Sequence, residues 1–190
     1  MQIIVIHGAP GTGKTTISKK LHEHYKSPWF EFGWIPEFRN KNPYTEISCK
    51  DEEQMTFESL VLVTKNYVKH GFENIILSDL NDIRLLDIPS VFEDLDYIIF
   101  TFYGENESVI KECILSRDNG NDYKDYEQAF IINRKILSRK TLPNEYRVCS
   151  GDKTPEAVIS QILSVIENHK PMVEFDRNKY SRDDYFSYTN

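Results

Sequence analysis

The chain has 190 residues, 39% of them hydrophobic and 28% charged, which suits one globular α/β domain with a full core and excludes an intrinsically disordered chain. Its formal charge of -7 repels a polyphosphate backbone, so non-specific nucleic-acid binding is disfavoured. Cys49, Cys113 and Cys149 are far apart and never form a C-x-x-C pair, which points away from a disulfide framework or a zinc site and towards a reducing cytoplasm.

Gln2–Ile6 is the first strand candidate, an apolar run with no basic leader and no long apolar stretch of the kind a signal peptide has. Nowhere do about 18 apolar residues run together, so no membrane span is expected. Gly8-Ala9-Pro10-Gly11-Thr12-Gly13-Lys14-Thr15 then matches G-x-x-x-x-G-K-[ST] in full, directly after a strand and before an amphipathic helix. Glycines let the backbone wind closely round an anion, while successive N–H groups and the helix N-terminus turn towards it. Lys14 is placed to supply a point charge to the β and γ oxygens of a nucleoside triphosphate, and the Thr15 hydroxyl to ligate Mg²⁺, with Thr16 completing the segment. The helix that follows carries Ile17, Leu21 and Tyr25 on one face.

Trp29–Trp34 is the second strand, and alternation sends Phe30, Phe32 and Trp34 to one face. With Phe38 they either pack the core or line a pocket for a planar or apolar compound. A helix over Asp51–His70 has Asp51 as its N-cap, Phe57, Leu60, Val61, Thr64 and Val68 facing inward, and Gly71 as its stop. The third strand, Asn74–Leu77, runs on through Ser78 to Asp79, a carboxylate that either orients an acceptor and holds Mg²⁺ or caps a helix after Asn81. Strands at Tyr97–Phe102 and Tyr146–Cys149 follow, with weaker helices over Asp82–Leu86, Ser108–Arg117, Tyr123–Lys140 and Pro155–Asn168. Lys170–Asn190 is polar and without period, yet carries Tyr180, Tyr185, Phe186 and Tyr188; it is either a mobile tail or one that docks through these rings.

Strands alternating with amphipathic helices make the fold class α/β, a parallel sheet covered on both faces. With the phosphate-binding motif, this order of parts resembles the small P-loop kinases, the group of shikimate, gluconate and adenylate kinases and antibiotic phosphotransferases, from Met1 to about His169. The resemblance implies a doubly wound five-stranded sheet in the order 2-3-1-4-5, a kinase domain over 1–169 with a short LID at about 117–126, and a separate tail over 170–190. It further implies ATP and Mg²⁺ as cofactors and a small-molecule acceptor, in a cytoplasmic monomer or homodimer. Glu31 falls where shikimate-kinase-like members place a catalytic carboxylate, although Gly33 departs from their D-x-D. Asp79 is the rival. Arg117 occupies the place of an arginine over the adenine or the transferring phosphates, and Arg134 that of one contacting the acceptor. Trp34 would border the acceptor, and Gly151 would sit in the adenine-side loop. An alternative is a nucleotide-dependent switch, against which stands the lack of N-K-x-D, since Asn40-Lys41-Asn42-Pro43 has no Asp. A polynucleotide kinase is disfavoured by the acidic balance, and the missing D-G-F-P-R counts against a nucleoside monophosphate acceptor.

Overall fold

The structure, a computed structural model, describes residues 1–34, 47–116, 123–151, 153–172 and 174–188. Every residue from Ile3 to Gly8 in the first apolar run and just after it is buried, as a strand covered on both faces requires. It forms β1 (Ile3–Gly8), at the centre of a parallel sheet with β2 (Trp29–Glu31), β3 (Ile75–Ser78), β4 (Tyr97–Tyr103) and β5 (Glu145–Cys149) in the order β2-β3-β1-β4-β5. Ile3 pairs with Ile75 on one side and Tyr97 on the other, so the end of β1 and the end of β3 open at the same edge. That edge is where ligands bind in open α/β sheets.

Alternate residues of β1 feed two cores. Ile3 and Val5 pack with Phe57, Leu60, Leu77 and Phe92 on one face, while Ile4 and Ile6 pack with Ile17, Leu21, Phe100 and Ile162 on the other. The helices are α1 (Lys14–Tyr25), α2 (Cys49–Lys69), the short α3 (Ile88–Val91), α4 (Glu107–Leu115), α5 (Tyr126–Ser138) and α6 (Pro155–Asn168): α2 and α3 serve the first core, α1 and α6 the second, and α4 and α5 bury Ile110, Ile114, Ala129, Ile132 and Ile136 in two smaller clusters. The expected α6 agrees to the residue, because Thr154 accepts the Ala157 N–H and Pro155 suits the first turn.

Several expectations are corrected. The cap of α2 is Ser48: its hydroxyl accepts the Asp51 N–H at 3.1 Å and donates to the Asp51 carboxylate at 2.6 Å, so Asp51 lies inside the first turn. Strand β2 ends at Glu31 and a turn follows at Phe32 and Gly33, which breaks the alternation. Phe30 and Phe32 therefore meet one core, whereas Trp34 lies on Trp29 with ring centroids 5.1 Å apart. Phe38 is outside the described residues. Asp82–Leu86 is a 3-10 turn rather than an α-helix.

The chain after α6 is packed down. Phe175 and Tyr180 rest against the first core, Tyr185 is only 3% exposed, and its hydroxyl donates to Lys140 O at 3.3 Å. The docked alternative is the one the aromatic residues select.

Candidate functional site

The phosphate-binding segment starts where β1 and β4 come too close for any side chain. A Cβ on Gly8, at φ +144, would stand 2.3 Å from Phe102 O. The turn is then held from within: the Thr12 hydroxyl donates to Ala9 O at 2.7 Å, and Lys14 Nζ donates to the same carbonyl at 3.2 Å. Gly13 adopts φ +80 at the start of α1, and no atom lies within 4 Å of where its Cβ would be. That open cradle lies at the N-terminus of a helix whose first turn has no acidic residue, so the segment fits a phosphate chain.

Above the segment is a cavity of about 710 Å³. Lys14, Thr15, Thr16, Glu31, Asp79 and Asn81 all line it. Asp79 has φ +63 at the end of β3, and its Oδ1 lies 3.7 Å from Lys14 Nζ. It does not cap the following 3-10 turn, whose flanking residue is Asn81. The structure thus brings together Lys14, Thr15, Thr16, Glu31 and Asp79. Among the described residues no three His, Cys, Asp or Glu side chains cluster as a metal centre. The Thr15 hydroxyl and Asp79 carboxylate are hard oxygen donors beside the phosphate cradle, which suits Mg²⁺, an ion held by one or two protein oxygens with phosphates and water.

Other expected residues lie apart. Arg134 is bound at both nitrogens by Glu107, at 2.7 and 2.8 Å, and its mostly exposed side chain does not line the cavity. Trp34 and Gly151 are not on its wall either; Gly151 follows β5 and faces Gly104. Arg117 and the greater part of the expected LID, 117–122, lie outside the described residues.

The cavity also has walls that motif reading missed. Tyr123, Phe186 and Tyr188 border it, the last two from the C-terminal segment. Asp82 also lines the cavity and binds several elements: one carboxylate oxygen meets His7 Nε2 at 3.0 Å and Arg139 Nη2 at 3.1 Å, while the other accepts the Phe186 N–H at 2.9 Å. Arg139 continues to Glu145 at 2.8 Å, and Glu145 accepts the Leu142 N–H at 2.7 Å. Burial pushes the Asp82 carboxyl up, but its bond to His7, the charges of His7 and Arg139 and the Phe186 N–H outweigh this and hold it below its ordinary value. Glu145 is likewise lowered: burial opposes, and Arg139, Thr101 and the Leu142 N–H prevail. The signals available were weak: a carboxylate opening the short segment to Leu86, which also carries Arg84, and aromatic residues in a tail with no period.

Residues 3–86 match the family described as AAA domain. The human "NACHT, LRR and PYD domains-containing protein 7" is 27% identical over 141 residues, 74% of this chain but only 12% of that protein's length. Among solved structures, a gluconokinase from Sinorhizobium meliloti 1021 aligns over 88% of this chain and 92% of its own, with a TM-score of 0.62 and 14% identity. A shikimate kinase from Bacteroides thetaiotaomicron aligns over 87% and 98%, with a TM-score of 0.58 and 14% identity. The chain has the fold of these small P-loop kinases, with its five parallel strands in the order 2-3-1-4-5.

Proposed function

We propose that this P-loop kinase fold carries an ATP- and Mg²⁺-dependent phosphotransferase, which moves the γ-phosphoryl group to a hydroxyl of a small molecule. The observation that carries the reading is that Lys14 and Asp79, 3.7 Å apart, share a cavity with Glu31 and with room for a second compound beside the phosphate cradle. Amides of the Gly8–Thr15 turn bind the phosphate oxygens, and the Lys14 ammonium neutralises charge on the β and γ groups. Thr15 and Asp79 would hold Mg²⁺, which when bound supplies further neutralisation of the phosphate oxygens. Glu31 or Asp79 orients the acceptor hydroxyl and takes its proton as the new P–O bond forms and the bond to ADP breaks.

The test is transfer from γ-labelled ATP to a panel of hydroxyl compounds. Lys14→Ala is expected to weaken ATP binding and abolish transfer. Glu31→Gln or Asp79→Asn should keep ATP affinity and lower kcat by about 10² to 10⁴ for whichever carboxylate acts as base. Undiminished transfer in both carboxylate variants would remove that role from both. A second reading, a nucleotide-dependent switch, is favoured by the AAA-domain match over 3–86. It predicts ATP hydrolysis with no acceptor phosphorylated.

A further inference from the structure

We propose that the C-terminal segment builds the acceptor wall of the cavity, and that the acceptor is a hydroxyl compound with a flat ring face, taken against Phe186 and Tyr188. The inference rests on the phosphotransferase reading for the identity of the cavity and adds the chemical class of its second ligand.

Two observations carry it. The first is that the segment is fixed in place. Phe186 is pinned on both sides of its backbone, its N–H donating to Asp82 at 2.9 Å and its carbonyl accepting the Ile83 N–H at 3.0 Å. Tyr185 beneath it is buried, with Arg139 4.4 Å from its ring centroid, and Lys135 Nζ donates to Asp183 O at 2.9 Å. The anchoring carboxylate is thus tied both to His7, next to the phosphate turn, and to the end segment.

The second is what the segment presents. Phe186 packs against Ala9 and Ile132, and Tyr188 crosses it edge to face with ring centroids 4.7 Å apart. Both rings, with Phe32 and Tyr123, line the same cavity as Lys14 and Asp79. Tyr188 remains 58% exposed, which leaves a large aromatic surface for a ring to cover. An aromatic wall selects a compound with a ring face beside the hydroxyl that accepts the phosphoryl group.

Phenyl β-D-glucopyranoside and methyl β-D-glucopyranoside are suitable probes, since they share hydroxyls and differ in the flat ring. Each would be titrated by ligand-observed NMR into the full chain carrying Mg²⁺ and a non-hydrolysable ATP analogue. The phenyl compound is expected to bind about tenfold more tightly, the order that stacking one ring supplies. Tyr188→Ala should reduce that preference to about twofold. Equal binding of the two probes, no binding of either, or a preference untouched by Tyr188→Ala overturns the inference while analogue binding stands. Absence of analogue binding overturns the phosphotransferase reading itself, and the two failures are read in the same titration.

Discussion

Gly8 and Gly13 belong to one motif but answer to different constraints. At Gly8 a methyl group would meet Phe102 O at 2.3 Å and the Phe102 backbone nitrogen at 2.8 Å, both in a central strand that cannot give way. Gly8→Ala is therefore expected to cost about 3 kcal/mol or more, as overpacking and backbone strain add, read as a fall in the urea midpoint. At Gly13 the space is open and the penalty is the left-handed φ alone, about 1 to 2 kcal/mol. Its methyl would fill the phosphate cradle, so Gly13→Ala should lose ATP affinity out of proportion to stability; equal stability losses at the two positions would contradict this division. The motif was legible because its chemistry is local: each letter acts on the backbone or ligand next to it. Asp79 was legible only as two alternatives, since its choice between cap and cavity depends on Lys14, which is distant in sequence and 3.7 Å away in space.

Among the elements, the clearest constraint is the charged cluster joining the end of β1, the 3-10 turn, the end of α5 and the start of β5. The Arg139 side chain is 0% exposed, between Asp82 at 1% and Glu145 at 0%. Removing only the cation leaves two buried carboxylates, and Arg139→Met is expected to cost about 3 to 5 kcal/mol at neutral pH. Both carboxyls are held below their ordinary values of 3.8 and 4.5 in the folded chain. Their contribution is thus present in full above about pH 4.5 and is lost as pH falls through the lowered folded values. The gap in stability between wild type and variant should accordingly narrow as pH falls below about 4.5, measured by denaturant titration. A gap that widens in acid would show that the cluster is not the source of the effect. The elements themselves were readable from apolar runs and helical spacing, as α6 shows. Their ends were not always so: β2 stops at Glu31, and Ser48, not Asp51, caps α2, because a turn and a hydroxyl bond settle ends that periodicity leaves open.

In the whole molecule, alternation of apolar runs with amphipathic stretches sufficed to anticipate a parallel sheet covered on both faces, whereas its strand order was anticipated only through the resemblance to the small P-loop kinases. The last stretch of chain obeys no such rule. It contributes single anchors, Phe175, Tyr180 and Tyr185, to a core built by residues far earlier, and separate anchors leave no period to read. Removing residues 174–190 strips those rings from the first core. Burying one aromatic side chain is worth about 1.5 to 3 kcal/mol, and two of the three are only partly buried, so a loss of about 3 kcal/mol is expected. For a chain of this size that lowers the melting temperature by about 6 to 12 °C. The sheet should survive, since no strand and none of α1 to α6 lies in the deleted stretch, and the far-ultraviolet dichroism should keep its shape. A melting temperature within about 2 °C of the full chain would mean that the rings contribute little to the core they touch, while loss of the dichroic signature would mean that the sheet depends on them.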